Sequence, residues 1–391
     1  MPERQELGID MSYIKKVING EEQEFWLKDN LDATGANYRM AFSQRGPGKS
    51  YQTKCEAIDR WLETGKQFGL IRRLDNQLSI DKVTEYWTDM GEYFTEKAHA
   101  VFPDYDRFII IPRSGKWTVY GLYDDKDKKY PLGVIGYYFA INCAERYKSV
   151  SYPNIDFVIF EEFMSESHSY LVNEFDKLMS IISTIKRRRT DFVIYMLGNT
   201  VDMNCPVLHD MGINVREMAQ GDIKLFTYYG GKDGETTNTV AVEYIRPVAQ
   251  SEESESFFIF NRQQENMIIN GAWQTGSYPL FDKDEFYVEI KPKLSIVIDY
   301  KDIKLYIYFD KNKDGLPTAY ISNERLGNRF KYIFITSKTY INRNQFSYDS
   351  DLPVVRNVKK LIWFCLNNNT CYYLNNYTGS DLDSLIKFKV I

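Results

Sequence analysis

Eight consecutive residues, Ser43 to Ser50, have the types and spacing of a phosphate-binding loop. Gly48, Lys49 and Ser50 fit the end of the pattern G-x-x-x-x-G-K-[ST], whereas Ser43 stands where its first glycine is expected. A serine is tolerated there if the backbone does not need a glycine-only conformation. Because such loops bind phosphates and Mg²⁺ through backbone N–H groups, the lysine and the hydroxyl, the stretch predicts a site for ATP and Mg²⁺, with a chance match as the alternative. The residues predicted to bind the nucleotide are Arg45, Gly46, Pro47, Gly48, Lys49, Ser50 and Tyr51, with Ser50 also on the metal.

Two adjacent acids end an apolar run much later in the chain. Glu161 and Glu162 close the stretch DFVIFEEF, which is typical of a buried strand and follows Lys49 by 112 residues (161 minus 49). In P-loop ATPases the first acid of such a pair orders the Mg²⁺ shell and the second activates water. We therefore predict that Glu161 binds the metal and that Glu162 is the catalytic base. Two solvated acids at a strand end are the alternative.

A third polar candidate, Asn199, ends the next apolar run, FVIYMLGN. Its amide could stand between the γ-phosphate and the attacking water and so sense hydrolysis, although a buried turn asparagine is the alternative. An extra strand after the acid-bearing one, together with a glutamate base, indicates the additional-strand (ASCE) class of P-loop NTPases. That class includes motors and helicases.

Arginines near these motifs are candidates to complete the site. Arg187, Arg188 and Arg189 precede the strand of Asn199. We predict that one of them, Arg187 by preference, reaches the γ-phosphate of a neighbouring subunit, and a solvated helix end is the alternative. An arginine that acts between subunits implies a ring-shaped homo-oligomer. Arg72 and Arg73, at the end of a second predicted strand, are expected to contact either phosphate or DNA.

The elements that must hold these residues fall into two regions. Strand-like and helical runs alternate up to a Ser/Glu cluster, Val248 to Phe258, which reads as a linker. After it, Tyr/Ile/Phe-rich runs with a period of two indicate strands with little helix. The predicted domains are an N-terminal arm over 1–34, an α/β P-loop ATPase domain over 35–225, a linker or lid over 226–265 and a smaller β-rich α+β domain over 266–391.

Charge and composition limit the partners. The net charge of −5 argues against a protein that coats nucleic acid with its whole surface. Residues 257–391 carry 18 Lys and Arg against 14 Asp and Glu, out of 49 and 54 in the chain, so contacts with a polyanion are expected to be local. Without a run of about 18 apolar residues we expect neither a membrane span nor a secretory signal. Five scattered cysteines and three histidines predict neither a disulfide framework nor a zinc site.

Five segments, in the order RGPGKSY, IRR, KSVSYPN (148–154), VIFEEF and LGNTV, resemble the genome-packaging ATPase (encapsidation protein) of Picovirinae-type small podophages. The resemblance covers about residues 35–205, and KSVSYPN is its most family-specific part. Ser43 and Glu161 depart from the family's glycine and more usual aspartate, although a longer carboxylate can still bind Mg²⁺ through water. The resemblance suggests Lys148 as a basic group near the subunit boundary, with an exposed lysine without a role as the alternative.

The resemblance also implies an assembly and its partners. It implies a homopentameric ring that is docked transiently at the portal vertex and drives double-stranded DNA into a preformed head. The partners are then the portal or connector and the procapsid, and participation of a packaging RNA stays open. The protein is expected in the host cytoplasm and not in the mature virion. Its C-terminal domain is expected to be RNase H-like and to have lost nuclease activity.

These observations favour an ATP-hydrolysing motor that translocates double-stranded viral DNA, with candidate DNA contacts at Arg72, Arg73 and Lys148. A helicase or remodelling ATPase, and a nucleotide-gated structural or docking protein, stay open as alternatives. In the C-terminal region, Asp299 is the acid inside a strongly apolar strand, and a two-metal nuclease needs three or four converging carboxylates. The other candidate acids lie in polar, turn-like stretches: Asp302, Asp310, Asp314, Asp349 and Asp351.

Overall fold

The chain divides into two compact units, Met1–Gln274 and Thr275–Ile391. A computed structural model describes residues 3–6, 13–18, 21–124, 126–167, 169–230, 236–247, 273, 278–300, 303–335, 343–387 and 390–391. The Ser/Glu-rich stretch Val248 to Phe258 and the predicted domain boundary at 265/266 lie outside the described residues.

A mixed sheet with helices on both faces forms the first unit. Its strands are β1 (Glu3–Glu6), β2 (Tyr13–Ile18), β3 (Glu21–Trp26), β4 (Tyr38–Ser43), β5 (Gln67–Arg72), β6 (Arg107–Arg113), β7 (Lys116–Tyr123), β8 (Lys126–Ala140), β9 (Ile155–Glu161), β10 (Val193–Asn199), β11 (Ile223–Gly230) and β12 (Thr236–Tyr244). Among the described residues the sheet has ten strands in the order β1-β11-β12-β4-β10-β9-β5-β8-β7-β6, and β2 pairs with β3 in a separate hairpin. Neighbours from β12 to β8 are parallel, and the outer pairs are antiparallel.

Apolar residues at helical spacing attach the helices to the two faces. The helices are α1 (Asp29–Ala33), α2 (Lys49–Thr64), α3 (Ile80–Glu85), α4 (Gly91–Val101), α5 (Glu174–Lys186) and α6 (Pro206–Met211). Ile58 and Trp61 of α2 share one core with Phe94 of α4, and Leu178 and Ile182 of α5 belong to the core on the other face. Strands covered on both faces are apolar throughout, which explains the unbroken runs in the sequence. In the part of the chain that the structure describes, no helix has both the length and the apolar composition needed to cross a membrane.

The central strand order brings the predicted motifs to one edge. Strand β10 lies between β4, which leads into the phosphate loop, and β9, which ends in the acids. Asn199 pairs in register with Ser43, and Leu197 pairs with Glu161. Because these strands are parallel and in register, their carboxyl ends are level, and the residues that follow them meet at the same edge.

Two segments outside the predicted ATPase domain belong to its sheet. The predicted N-terminal arm contributes β1, which pairs with β11, and a hairpin whose Trp26 is buried in the core. The structure contradicts the predicted linker or lid over 226–265 more clearly. Part of that range forms β12, which pairs with β4 in the middle of the sheet. Strand β12 is held there by Val240 and Val242, which are buried in the α5 core. The linker interpretation gave too little weight to the short alternation in TVAVEY.

The second unit is a smaller α+β unit, in which the alternating apolar runs form strands as predicted, but three described helices accompany them where little helix was expected. Its strands are β13 (Leu294–Tyr300), β14 (Ile303–Lys311), β15 (Pro317–Ser322), β16 (Tyr332–Ile335), β17 (Gln345–Ser347) and β18 (Cys371–Tyr373), and its helices are α7 (Lys283–Glu289), α8 (Pro353–Asn367) and α9 (Asn376–Lys387). The described strands form one sheet in the order β17-β16-β13-β14-β15-β18. Ile296 and Ile307 of the sheet pack with Ile362 of α8 and Leu382 of α9 in its core.

Candidate active site

Two glycines with positive φ shape the loop between β4 and α2. Gly46 has φ 94° and Gly48 has φ 90°, a left-handed region that other residues rarely adopt. Ser43 is the last residue of β4, and its side chain is fully buried. The serine therefore occupies a strand position, which is the condition under which the sequence predicted that it would be tolerated.

Lys49 is buried at the start of α2 and contacts three uncharged oxygens. Its Nζ donates to Ser43 Oγ at 2.6 Å, to the carbonyl oxygen of Gln44 at 2.9 Å and to Asn199 Oδ1 at 3.4 Å. Burial lowers the pKa of Lys49 from 10.5 to about 7. A buried amine surrounded by neutral acceptors is strongly stabilised by an incoming anion, because the anion favours its charged form.

The two acids at the end of β9 have different environments. Glu161 is 6% exposed, and its Oε1 has no hydrogen-bond partner in the described part of the chain. Glu162 is in the left-handed region with φ 54°, and its side chain is 57% exposed. Arg72, at the end of neighbouring β5, lies between them. Its Nη2 is 3.7 Å from Glu161 Oε2, and its Nη1 is 3.1 Å from Glu162 Oε1. Gln77 Nε2 also donates to Glu162 Oε2 at 3.4 Å.

Arg73 does not have the exposure that its predicted DNA contact requires. It is 6% exposed and pairs with the buried carboxylate of Glu174, its Nε lying 2.9 Å from Glu174 Oε2. Its other nitrogens bond to backbone carbonyl oxygens. The prediction that Arg73 contacts DNA conflicts with this burial, because adjacent residues at the end of β5 point to opposite sides and only Arg72 reaches the acids.

The three arginines at the end of α5 lie away from the phosphate loop of their own chain. They precede the first residue of β10, whereas Asn199 ends that strand at the loop edge. Arg187 donates to the carbonyl oxygen of Val150 at 2.9 Å, and Arg188 is exposed. Arg189 donates to the carbonyl oxygens of Pro153, at 3.0 Å, and of Ile155. The structure thus brings Arg187 and Arg189 together with the KSVSYPN segment.

The remaining predicted residues surround the loop or lie on the surface. Arg45 is half-exposed and forms an ion pair with Glu166. Tyr51 stacks edge-on against Tyr93, with ring centres 6.4 Å apart, and Ser50 lies in the first turn of α2. Lys148 is exposed, and its Nζ is 2.6 Å from Glu145 Oε1.

Comparison with known sequences connects this edge of the sheet to a protein family. A profile of the podovirus DNA encapsidation protein (Gp16) family matches residues 29–216, which include the loop, both acids, Asn199 and the arginines. Residues 29–216 belong to this family. The encapsidation-family segment begins with α1 and ends after α6.

Individual relatives agree with this assignment. The segment is similar to the DNA packaging protein of Bacillus phage phi29, with 29% identity over 164 residues, 41% of this chain and 42% of the relative. It is also similar to that of Bacillus phage B103, with 28% identity over 171 residues, 43% of this chain and 46% of the relative. These matches therefore span less than half of the relatives' length. A solved structure titled as the bacteriophage Phi-29 viral genome packaging motor assembly has a similar fold, with a TM-score of 0.53 and 17% identity over 94% of this chain and 99% of that one.

The N-terminal hairpin contacts the loop of the encapsidation-family segment, which sequence reasoning missed. The backbone N–H of Trp26 donates to the carbonyl oxygen of Pro47 at 2.9 Å, and a Cβ at Gly48 would lie 3.3 Å from the ring of Phe25. The Trp26 indole donates to Oε1 of fully buried Glu243 on β12 at 2.8 Å, and Glu243 Oε2 has no partner among the described residues. The one sequence signal was an acid inside the apolar run VAVEYI.

The candidate nuclease acids that the structure describes in the C-terminal unit do not converge. Asp299 pairs with Lys304 at 2.8 Å, directly across the β13–β14 ladder. Asp310 accepts from the backbone N–H groups of Lys291 and Lys311. Among the described residues no three His, Cys, Asp or Glu side chains come together as metal ligands, and Asp302 lies outside those residues. Asp314 and Asp351 are exposed, and Asp349 accepts from the Ser347 hydroxyl.

Replacing Glu243 by glutamine is expected to remove a pH dependence of stability. Burial raises the pKa of Glu243 from 4.5 to about 8, so between these values folding takes up a proton and the free energy of unfolding falls as the pH rises. Glu243→Gln keeps an acceptor for the Trp26 indole and has no proton to take up. Relative to the original chain it should be a few kcal/mol more stable at pH 8 and nearly equal at pH 4.5, in urea unfolding. The exposed Glu63→Gln is the control, and an equal response of both variants would contradict this expectation.

Proposed function

We propose that this protein is an ATP-hydrolysing motor that translocates double-stranded viral DNA into a preformed capsid. The observation that carries the proposal is the convergence, at the carboxyl ends of β4, β10 and β9, of buried Lys49, Asn199 and the pair Glu161 and Glu162. The family of residues 29–216, and relatives described as DNA packaging proteins, support the coupling of this site to DNA packaging.

The strand order supports the additional-strand class of P-loop NTPases. In that class a strand separates the strand of the phosphate loop from the strand of the metal-binding acid, and β10 lies in this position here. Asn199 at its end is the proposed sensor, because its Oδ1 lies 3.4 Å from Nζ of Lys49, the residue proposed to bind the phosphates. With this strand order, ATP hydrolysis at the edge of the sheet can move the elements next to β10, as a motor requires.

The residues present fit ATP and Mg²⁺. Lys49 has neutral acceptors that phosphate oxygens can replace, and Glu161 has a buried oxygen without a hydrogen-bond partner in the described part of the chain. Ser50 and Glu161 would hold Mg²⁺, which supplies positive charge to the phosphates. Gly46 and Gly48 allow the loop backbone to approach the phosphates closely.

Glu162 and Arg72 are the proposed residues for the attacking water. Glu162 is the more exposed acid and is the base that orients and deprotonates water. Arg72 lies between the two carboxylates and offsets the repulsion between them. We therefore propose that Arg72 serves the active site, where the sequence left phosphate and DNA open as its partners. Lys148, on the exposed surface, stays the candidate for the subunit boundary.

Basic residues that lie away from the phosphate loop of their own chain are candidates to contact a neighbouring subunit. Arg187 and Lys148 belong to adjacent stretches, because Arg187 bonds to the Val150 carbonyl oxygen. In a head-to-tail ring this group would face the next phosphate loop, where a cation stabilises the transferred phosphate. We propose a homopentamer at the portal vertex of the procapsid, present in the host cytoplasm during packaging and absent from the mature virion, with participation of a packaging RNA left to experiment.

The C-terminal unit is proposed to be RNase H-like without nuclease activity. Strands β13, β14 and β15 form an antiparallel meander, and β16 and β17 follow in parallel on the other side of β13. This order supports the RNase H-like assignment. The pairing of Asp299 with Lys304 supports the loss of metal-dependent cleavage, because a cation already neutralises that carboxylate.

Substitutions at the loop and at the base are expected to have different effects. Lys49→Ala should abolish nucleotide binding, because the cation on the phosphates is lost. Glu162→Gln should bind ATP normally and lower turnover by roughly 10²- to 10⁴-fold, because it keeps the size of the side chain and loses the base. Binding is measured with a fluorescent ATP analogue and turnover by phosphate release. Lys97→Ala and Glu96→Gln, at exposed positions of α4, are controls, and normal turnover in Glu162→Gln would move the base elsewhere.

Mixing experiments test the action of Arg187 between subunits. Arg187→Ala and Lys49→Ala chains should each be inactive alone, and a mixture should regain activity wherever an intact arginine meets an intact loop. Phosphate release in the presence of DNA measures the recovery. A chain carrying both substitutions is the control, because it cannot complement itself. Full activity of a strictly monomeric preparation would refute the assignment.

The C-terminal unit is expected to leave DNA intact. Incubating the purified protein with plasmid and Mg²⁺ or Mn²⁺ should give no cleavage on a gel, because the C-terminal acids do not form a two-metal site in the described residues. Asp299→Asn is the matched variant. Cleavage that this substitution abolishes would show that the domain is an active nuclease.

A further inference from the structure

Glu162 has a backbone conformation that its residue type does not favour. Its φ of 54° lies in the left-handed region, where a side chain with a Cβ is crowded by its own carbonyl group. A glutamate stays in this region only when surrounding contacts hold it there. This conformation turns the chain at the end of β9 and directs the Glu162 side chain toward Arg72 rather than along the strand.

Arg73 supplies two of the contacts that hold this turn. Its Nη1 donates to the carbonyl oxygen of Glu162 at 3.2 Å, and its Nη2 donates to the carbonyl oxygen of Phe163 at 2.8 Å. The planar guanidinium thus spans two successive carbonyl groups and fixes the peptide plane that follows Glu162. The N–H of Phe163 also donates to the carbonyl oxygen of Leu197 on β10, at 3.3 Å.

Glu174 fixes Arg73 in turn. The carboxylate of Glu174 is 1% exposed, and the Arg73 Nε lies 3.1 Å and 2.9 Å from its two oxygens. Oε2 of Glu174 also accepts from the backbone N–H of Leu171, at 2.9 Å. The central carbon of the Arg73 guanidinium lies 4.9 Å from the centre of the Tyr170 ring, and the Tyr170 hydroxyl accepts from the Ser165 N–H at 3.1 Å. A buried ion pair of this kind holds one arrangement, because separating its members leaves an uncompensated charge.

We infer that Arg73 is a positioning residue for Glu162: it holds the left-handed turn that aims the carboxylate, and Glu174 holds Arg73. This inference rests on the proposed role of Glu162 as the base. It assigns different tasks to two neighbouring arginines, since Arg72 contacts the carboxylates and Arg73 contacts the backbone that carries one of them. It also gives Arg73 a role that needs no exposure to DNA.

The experiment compares Arg73→Lys and Glu174→Gln with the original chain. A lysine ammonium keeps the charge but lacks the planar fork that bridges two carbonyls and a carboxylate. Because a displacement of about 1 Å at a catalytic group can lower a rate by roughly 100-fold, both variants should lose about that much turnover. Their affinity for an ATP analogue should change less than about twofold, because the contacts of Arg73 described above lie outside the loop between β4 and α2. Arg60→Lys, which makes the same change at a partly buried arginine of α2 that pairs with Glu56 and Asp156, is the control and should keep its turnover.

A second comparison separates positioning from general damage to the fold. In a Glu162→Gln background, Arg73→Lys should cause no further loss of radiolabelled phosphate release, because the residue through which it acts is already disabled. An additive further loss, or weakened ATP binding that parallels the loss of turnover, would overturn the inference. Wild-type turnover in Arg73→Lys together with a slow Glu162→Gln would overturn this inference alone. Normal turnover in Glu162→Gln would instead refute the proposed base.

Discussion

The level carboxyl ends of β4, β10 and β9 determine where everything else in the active site must lie. Parallel pairing sets Asn199 opposite Ser43 and Leu197 opposite Glu161, so the phosphate loop, the amide and the acids leave the sheet within one strand spacing of their neighbours. A shift of one residue in β10 would exchange the side chains that face its two cores as well as move Asn199. The apolar runs that bury the sheet on both faces therefore also fix the geometry of the polar groups at its edge.

Electrostatic balance at this edge is achieved by residues from separate parts of the chain. Two adjacent carboxylates repel each other, and Arg72 from β5 offsets this repulsion. Lys49 is balanced differently, because its three acceptors are uncharged and carry only partial negative charge. The edge consequently holds two carboxylates and an amine side by side, and the described contacts of Lys49 include no ion pair with either acid. That separation leaves the lysine available to an anion and the acids available to a cation.

Local spacing was enough to predict that a glycine-containing loop joins β4 to α2 and that the two acids stand at the end of β9, because both patterns consist of consecutive residues. The strand between them was also predictable, since β10 is an unbroken apolar run of the right length. The task of Arg73 was not predictable: its partner Glu174 is 101 residues away, and an arginine at a strand end has the same local sequence whether it is buried or exposed. The same holds for Trp26 and Glu243, which are 217 residues apart. Their hydrogen bond joins the predicted N-terminal arm to a central strand, β12, that the sequence assigned to a linker because a polar Ser/Glu cluster follows it closely.

A buried amine with a pKa near 7 can gain or lose a proton at neutral pH. Burial lowers the pKa of Lys49, and an anion that binds beside the amine raises that pKa again and so favours uptake of a proton. Filling the loop then draws protons from the surrounding buffer, and emptying it returns them. The measured enthalpy of anion binding at the loop then includes the ionisation enthalpy of the buffer. Anion binding at the phosphate loop therefore depends on the pH of the solution as well as on the charge of the ligand.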